Sequence, residues 1–373
     1  MCLLYHGLIM ISKQKKIVYV LFCIFFCLLY FFIATKPLEK HLHLQPVWTT
    51  DITKNIPNTN TVFDNNETIQ HFKLGQNLGY FDTNGKILLF KTFPFKATIS
   101  NSYWTLYAPD NASVNCYNPE QKLITTINAT GFPYFKEKRL YVFHPSGNSF
   151  SSYNEDGTLA WSHDEPAIIT AFDSSENGTV AGYSNGKIFY TDASNENSTI
   201  FSPGGSNYEI IYGLSISPDG NYVAALCGLD KQRIIVAQIS TSQTKIIFNE
   251  FLNTETRTQS LVYFSKNNKK VFINTKNGLV IVTLDTLSSS HLNIQGKIVN
   301  ITECYCKEKD ELQTIYAVLS KITEGYSVSL INNNDEYLGN FDFEAQNACL
   351  ASEKNSLFIG KDTSISRIDL INK

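Results

Sequence analysis

The chain has 373 residues, of which 43% are hydrophobic and 17% charged, and this suits one large domain or two ordinary ones with substantial cores. The formal net charge at pH 7 is −3, and the lysines are spread among the acids without a basic patch, so nucleic acid is not an expected partner. Abundant strand-forming Tyr, Phe and Ile, together with turn-forming Asn and Ser, indicate an all-β domain.

The first element in the chain is an uncharged apolar run, Ile17–Ala34, which as a helix would be about 27 Å long, close to the thickness of a bilayer core. Lys13, Lys15 and Lys16 precede the run, and positive charge on this flank keeps an N-terminus in the cytoplasm. We therefore predict a short cytoplasmic N-terminus at residues 1–16 and a single-pass transmembrane anchor at residues 17–34, in contact with the lipid bilayer. The rest of the chain is expected on the extracytoplasmic (periplasmic) side of the inner membrane.

Two other targeting signals fit this run less well. A cleaved signal peptide would be cut after Ala34, but Phe32 occupies a position where a small residue is required. A lipoprotein signal would need a small residue before Cys23 or Cys27, and each follows a Phe. The sequence thus favours an uncleaved signal anchor, with either Met1 or Met10 as its start.

The next segment, residues 35–70, is polar and rich in turn formers, as in PNTNTVFDNNET from Pro57 to Thr68. It contains no clear strand or helix pattern. We predict a linker that joins the anchor to a domain at residues 71–373, and we expect deletions within residues 41–65 to be tolerated.

The domain is built on a repeated hairpin, seen most clearly in LSISPDGNYVAALC from Leu214 to Cys227. Pro218 favours φ near −65°, Asp219 can bond the local backbone, and Gly220 accepts a positive φ, so SPDG predicts a tight turn between two strands. Six further copies have the same order of strand, polar turn, apolar strand, second turn and alternating strands. The copies begin at Lys96, Phe132, Ile168, Leu214, Leu261, Val299 and Ala348.

The spacing of these copies predicts the architecture. The apolar residues that precede the first turn in the early copies, Ile99, Phe135, Phe172, Ile216 and Phe264, lie roughly 36 to 48 residues apart. Four short strands in such a period are typical of one blade of a β-propeller. We predict an all-β fold, a β-propeller of about seven four-stranded blades.

Eight blades is the alternative, because the piece from Phe72 to Phe93 precedes the first copy and can be read as two strands of another blade. In the seven-blade interpretation, this piece supplies the outer strand that the final copy lacks. The first and last blades would then share one sheet, which removes an open sheet edge.

Two motifs carry a resemblance to known families. Ser217-Pro218-Asp219-Gly220 resembles the turn of bacterial WD-repeat-like propellers. Asn154-Glu155-Asp156-Gly157-Thr158-Leu159-Ala160-Trp161 resembles the quinoprotein-type (PQQ-type) repeat, in which a Gly turn precedes an apolar strand ending in Trp. The resemblance implies a propeller over residues 71–373, and it assigns no quinone or calcium ligands to this chain.

Titratable residues form one compact cluster, His163-Asp164-Glu165, before Pro166. We interpret it as a charged loop between blades, with proton transfer as the alternative role. His144-Pro145-Ser146-Gly147 is interpreted as a turn, and Gly204-Gly205 as a flexible connection.

Cysteines follow no disulfide or metal spacing. Cys116, Cys227, Cys304, Cys306 and Cys349 are odd in number and scattered, so we expect packed or free thiols, with a disulfide or a metal site as the alternatives. Cys304 and Cys306 should share one face of a strand. No catalytic, cofactor-binding or metal-binding residue is assigned.

These observations favour a membrane-anchored extracytoplasmic propeller that acts as a protein-binding or scaffold module of the cell envelope, with no assignable small-molecule ligand. Aromatic residues such as Tyr103-Trp104, Tyr134-Phe135 and Tyr208 are candidates for a binding face. The alternative is an enzyme, either a hydrolase, a lyase or a quinone-dependent dehydrogenase, whose acids and histidines would converge at the central channel. A sensor is a third possibility, which the absence of a cytoplasmic domain before the anchor disfavours.

Overall fold

The computed structural model describes residues 18, 20–30, 42–54, 68–240, 243–308 and 311–372. Residues 20–30 are helical, and their side chains are exposed. Within these described ranges, no helix combines the length and apolarity needed to span a membrane. The remainder of the predicted anchor, the cytoplasmic N-terminus with its lysines, and residues 55–67 of the predicted linker lie outside the described residues.

The described residues form eight antiparallel sheets, each made mainly of consecutive strands. We call them blades 1 to 8. Blade 1 consists of β2 (Ile69–Leu74), β3 (Asn77–Asp82) and β4 (Ile87–Thr92), and blade 2 consists of β5 (Lys96–Ile99), β6 (Trp104–Tyr107), β7 (Val114–Tyr117) and β8 (Leu123–Ile127). Blade 3 consists of β9 (Phe132–Lys136), β10 (Arg139–Phe143), β11 (Ser149–Tyr153) and β12 (Leu159–Asp164). Blade 4 consists of β13 (Ile169–Ser175), β14 (Gly178–Tyr183), β15 (Ile188–Asp192) and β16 (Ser198–Phe201).

The later blades continue the same order. Blade 5 consists of β17 (Ile211–Ile216), β18 (Tyr222–Cys227), β19 (Arg233–Ile239) and β20 (Thr244–Phe251), and blade 6 consists of β21 (Val262–Phe264), β22 (Lys270–Thr275), β23 (Gly278–Thr283) and β24 (Ser288–Leu292). Blade 7 consists of β25 (Lys297–Glu308), β26 (Glu311–Ile322), β27 (Gly325–Ile331) and β28 (Tyr337–Phe343). Blade 8 consists of β29 (Ala348–Glu353), β30 (Ser356–Lys361), β31 (Ser364–Asn372) and, from the N-terminal end, β1 (Leu42–Asp51).

Each of the seven sequence copies corresponds to one blade, but the predicted number of blades is wrong by one. The piece from Phe72 to Phe93 is not the outer strand of the last blade. It forms blade 1, whose described part has three strands, and so the eight-blade alternative is correct.

The outer strand of blade 8 comes instead from β1, in the segment predicted as a linker at residues 35–70. Ile52 N donates to Thr363 O at 2.9 Å, and the Thr49 and Ser366 hydroxyls lie 2.9 Å apart. The sheets therefore extend N-terminally beyond the predicted boundary at residue 71. Sequence patterning missed β1 because an outer strand buries little of its surface, so LHLQPVWTTD carries no regular apolar alternation.

The hydrophobic core lies between the blades. Second and third strands of blades 4 to 6 are buried almost throughout, as in the second strand β14 and the third strand β23, because each sheet is sandwiched between two neighbours. Val180 and Ile188 of blade 4, for example, pack with Leu214 and Val223 of blade 5. Fourth strands such as β12 and β28 alternate between exposed and half-buried residues, which places them at the rim.

The predicted SPDG turn is confirmed. Gly220 N donates to Ser217 O at 2.9 Å, and Gly220 has φ +77°. The turn also contacts the preceding blade, because the side-chain amide of Asn177 in blade 4 donates to Pro218 O at 2.7 Å. A Cβ on Gly220 would lie 3.0 Å from Asn177 Cβ and 3.1 Å from its carbonyl oxygen.

We expect Gly220→Val to destabilise the domain by about 1–3 kcal/mol, because a β-branched residue is strained at positive φ and would also press on Asn177. Urea denaturation measures the change. Asn221→Val is the control, since it places the same side chain at an exposed neighbouring position with ordinary φ. Equal stability of the two variants would contradict this account of the turn.

Candidate functional site

The first strands of successive blades line a central cavity of about 870 Å³. Blades 3 to 7 contribute through β9, β13, β17, β21 and β25. All first strands run in the same direction around the axis, so the turns that join first to second strands lie on one face of the ring. The turns between third and fourth strands lie there too, and we call this the turn face.

Asp173 is the central polar group of the cavity wall and connects three blades. Its carboxylate pairs with Lys136 of blade 3 and accepts hydrogen bonds from the Ser215 hydroxyl (2.6 Å) and the Ile216 amide (3.1 Å) of blade 5. Desolvation is the largest single influence on the pKa of Lys136 and lowers it, but the Asp173 carboxylate together with Tyr134 and Tyr141 raises the pKa by more, so this lysine remains charged. The cluster fixes the spacing of blades 3, 4 and 5.

A second buried carboxylate, Glu303, connects blades 6 and 7. It is 2% exposed and accepts hydrogen bonds from the Lys266 amide at 2.6 Å and the Tyr263 hydroxyl at 3.1 Å. Desolvation raises the pKa of Glu303 and outweighs the opposing effect of these two donors. Glu303 is therefore a carboxyl group whose ionisation works against the folded state.

This shift predicts the pH dependence of stability. Because the folded-state pKa of Glu303 is raised above its ordinary value of 4.5, its contribution to stability is complete below about pH 4.5 and is lost as the pH rises through the folded-state pKa. In Glu303→Gln, the unfolding free energy should fall less than in the wild type as the pH is raised above about 4.5. Urea denaturation at a series of pH values measures the difference.

Glu176→Gln is the control, because Glu176 is exposed on a turn. Its pH profile should run parallel to that of the wild type. Parallel profiles for Glu303→Gln and the wild type would show that Glu303 does not change its protonation in this range.

A groove of about 700 Å³ lies between blades 3 and 4 on the turn face. Its walls come from the β9–β10 turn, from β11 and β12, and from the turns that follow β13 and β15. Five residues line both the groove and the central cavity, namely Lys136, Glu137, Ser174, Ser175 and Glu176. The groove and the cavity are therefore one continuous concave surface, which we call the groove–cavity surface.

The groove combines apolar and charged groups. Leu159 is 57% exposed, and Trp161 beside it is held by an edge contact with Phe150 (5.5 Å between ring centroids) and a tilted contact with Phe189 (6.3 Å). Arg139 is half-buried, and its Nη2 donates to the Glu176 carbonyl at 2.6 Å. Exposed Glu137, Glu155, Glu176 and Lys138 complete the rim.

The sequence cluster His163-Asp164-Glu165 does not form a site. His163 stacks on Phe189 with 3.6 Å between ring centroids, whereas Glu165 accepts from Lys187 Nζ at 2.6 Å and Asp164 accepts from Asn148. Neighbouring side chains on a strand point to opposite faces, so His163 and Asp164 at the end of β12 diverge, while Glu165 follows the strand and pairs elsewhere. Burial lowers the pKa of His163, which favours the neutral ring.

Most aromatic candidates for a binding face belong to the core. Tyr103, Trp104 and Phe135 are 7%, 5% and 5% exposed, whereas Tyr208 is 66% exposed on the connection between blades 4 and 5. That connection is well organised, since Arg233 donates to the carbonyl of Gly204 at 2.6 Å. Gly204-Gly205 lie in this connection between two blades, as predicted.

Cys116, Cys227, Cys304 and Cys349 are free thiols. Cys304 and Cys306 are both buried on one face of β25, as predicted, and burial raises the pKa of Cys304 to about 12. Among the described residues, no group of His, Cys, Asp and Glu side chains has an arrangement that would hold a metal ion.

Sequence reasoning missed the groove. A usable signal was present at Lys136-Glu137-Lys138-Arg139, four consecutive charged residues between two apolar strands. It was overlooked because the turn matches the repeat, and only the assembled ring places it beside Trp161 and Ser174.

Comparison with known proteins agrees with this architecture. A family model described as a beta-propeller protein matches residues 10–373. The chain belongs to this beta-propeller family. An uncharacterized protein of Treponema pallidum (strain Nichols) is 28% identical over 371 residues, an alignment that covers 96% of this propeller chain and 95% of the relative.

Two solved structures are similar to this propeller. BamB from Moraxella catarrhalis has a TM-score of 0.53 and 12% identity, with 88% of this chain and 100% of BamB covered. The dihydro-heme d1 dehydrogenase NirN, in complex with DHE, has a TM-score of 0.52 and 11% identity, with 73% of this chain and 60% of NirN covered. The predicted resemblance to bacterial quinoprotein-like propellers is confirmed at the level of the fold.

Proposed function

We propose that this propeller binds a protein partner through the groove–cavity surface on its turn face. The observation that carries the proposal is the continuity of the groove between blades 3 and 4 with the central cavity through five shared residues. The combined surface is open and has both apolar and charged walls, as suits a polypeptide segment. The fold similarity to BamB is compatible with such a role.

The rigidity of the surface also supports binding. Asp173 joins blades 3, 4 and 5 directly beside the groove, and Arg139 ties the β9–β10 turn to the next blade. A preorganised surface loses little conformational entropy when a partner binds. Asp173 is held by these donors, so it is a structural group of the cavity wall. The arrangement therefore offers no specific support for the enzyme alternative.

We further propose that the propeller lies outside the cytoplasm, held at the inner membrane by Ile17–Ala34, where its partner is a protein of the cell envelope. The support is the uncharged apolar run and the lysines before it. A reporter enzyme fused after Lys373 that works only outside the cytoplasm tests the orientation. Activity of a cytoplasm-dependent reporter at the same position would reverse it, and a mature N-terminus at Thr35 would refute the uncleaved anchor.

Site-specific photocrosslinking in cells tests the binding surface. A photoreactive amino acid replaces Leu159 in the groove wall, Tyr208 on the opposite face, or Leu338 at the rim, all three of which are exposed. We expect a protein adduct from position 159 alone, and we expect Trp161→Ala to abolish it without unfolding the domain. Equal adducts from all three positions, or adducts from position 208 alone, would refute the turn face as the binding surface.

A further inference from the structure

The groove contains a guanidinium group whose hydrogen-bonding capacity the fold leaves largely unused. Arg139 donates from Nη2 to the Glu176 carbonyl, and its Nε and Nη1 have no acceptor among the described residues. Arg139 also forms no ion pair within the described part of the chain. Because Nη2 has a second hydrogen, it and either Nε or Nη1 can still donate two parallel hydrogen bonds to a planar carboxylate.

Two other arginines of the propeller show the contrast. Arg233 donates to Asn249 Oδ1 at 2.9 Å and to the carbonyls of Pro203 and Gly204. Arg367 binds both carboxylate oxygens of Asp369 and the carbonyl of Thr83. These guanidinium groups hold loops and strands together, whereas Arg139 has one carbonyl partner and lines an open groove.

An apolar wall and a polar floor accompany the guanidinium. Leu159, which is exposed, and Trp161, which is half-buried, provide apolar surface within the same groove. Ser174, which is 1% exposed, also lines the groove, and its hydroxyl has no partner among the described residues. The groove thus presents an apolar subsite and a cation to one bound segment.

The rim restricts how much negative charge a ligand can carry. Glu137, Glu155 and Glu176 line the same groove as Arg139, and all three are exposed. A run of acidic residues would be repelled by them, whereas a single carboxylate can reach the guanidinium between them. The charge pattern therefore selects one acidic group and disfavours a polyacidic segment.

We infer that the groove binds an extended peptide segment in which one carboxylate, from an Asp or Glu side chain or a chain terminus, lies next to an aliphatic or aromatic side chain. The carboxylate pairs with Arg139, and the apolar side chain packs on Trp161 and Leu159. This inference rests on the proposed function, since it specifies what the partner presents to the groove–cavity surface.

Selection from a library of random twelve-residue peptides tests the inference. Peptides enriched on the wild-type propeller are compared with those enriched on Arg139→Gln, and one wild-type peptide is measured by fluorescence polarisation. We expect enrichment of one acidic position beside an apolar one. Replacing that acid by its amide should weaken binding about tenfold or more, and Arg139→Gln should remove the difference between acid and amide.

Two variants keep the test informative. Lys138→Gln removes a neighbouring exposed positive charge and should retain the acid preference. Arg139→Lys keeps the charge without the paired donors, so it should fall between the wild type and Arg139→Gln. Thermal melting confirms that each variant is folded.

The possible failures are distinguishable. Peptides that require Trp161 but show no preference for an acid over its amide would overturn this inference and leave the proposed function standing. Peptides that enrich on the wild type and on Trp161→Ala alike would overturn both. An equal loss of acid preference in Lys138→Gln and Arg139→Gln would assign the effect to general charge and refute the role of Arg139.

Discussion

A propeller that lacks residues 42–51 is expected to lose its cooperative folding, although the sequence pattern of this segment suggests a dispensable linker. These residues form β1, the outer strand of blade 8, and removing them leaves β31 as an open sheet edge. They also support the junction between the last and first blades. Trp48 Nε1 donates to the Thr83 carbonyl at 3.2 Å, and the Thr50 hydroxyl donates to the Gly85 carbonyl at 2.9 Å, both in the β3–β4 turn.

The deletion protein should aggregate or be cleaved by protease across the whole ring, because each blade packs on its neighbours and the loss of closure exposes the blades one after another. Size-exclusion chromatography, limited proteolysis and thermal melting measure this outcome. A soluble deletion protein with the melting temperature and cooperativity of the wild type would show that β1 is dispensable for closure.

A point substitution separates the contribution of the ring junction from the loss of a strand. Trp48 packs against Phe81 of blade 1 and Phe358 of blade 8, with ring centroids 6.4 and 6.0 Å away. Because Trp48 is only half-buried, Trp48→Ala should lower the unfolding free energy by at most the ~3–5 kcal/mol typical of a core aromatic. Val47→Ala, at a neighbouring residue that is 48% exposed, should change the unfolding free energy little.

Asp173→Ala is expected to lower the unfolding free energy strongly, because it removes a carboxylate in the wall of the central cavity. The substitution leaves Lys136 without its carboxylate partner and removes the acceptor of the Ser215 hydroxyl and the Ile216 amide. Removing one partner of a fully buried ion pair costs ~3–5 kcal/mol. The cost here should lie at or below that range, because the Lys136 side chain is 38% exposed and partly solvated.

Two variants establish that the effect comes from the carboxylate. Asp173→Asn keeps the shape and an acceptor oxygen but loses the charge, so it should be destabilised less than Asp173→Ala. Glu176→Ala, three residues away on the exposed turn, should be close to the wild type. Chemical denaturation gives the unfolding free energies, and a cost for Asp173→Ala no larger than that for Glu176→Ala would contradict the role of Asp173 in joining the blades.

The sequence predicted the repeat well because the repeat is a local property. The turn at Ser217–Gly220 and the buried strands on either side of it depend on residues only a few positions apart. The same local rules identified all seven copies and the piece at Phe72, so the fold class followed from the amino-acid pattern alone.

Blade count, ring closure and the binding groove depend on contacts between residues distant in the chain. The strand β1 has a weak apolar pattern and becomes a strand only because β31, more than 300 residues later, offers an unpaired edge. Arg139, Trp161 and Ser174 likewise come from three separate strands. Local sequence thus determined the repeating blade of this protein. The tertiary structure decided how many blades close the ring and which side chains meet at its face, because those outcomes depend on packing between sheets and not on the preferences of any single segment.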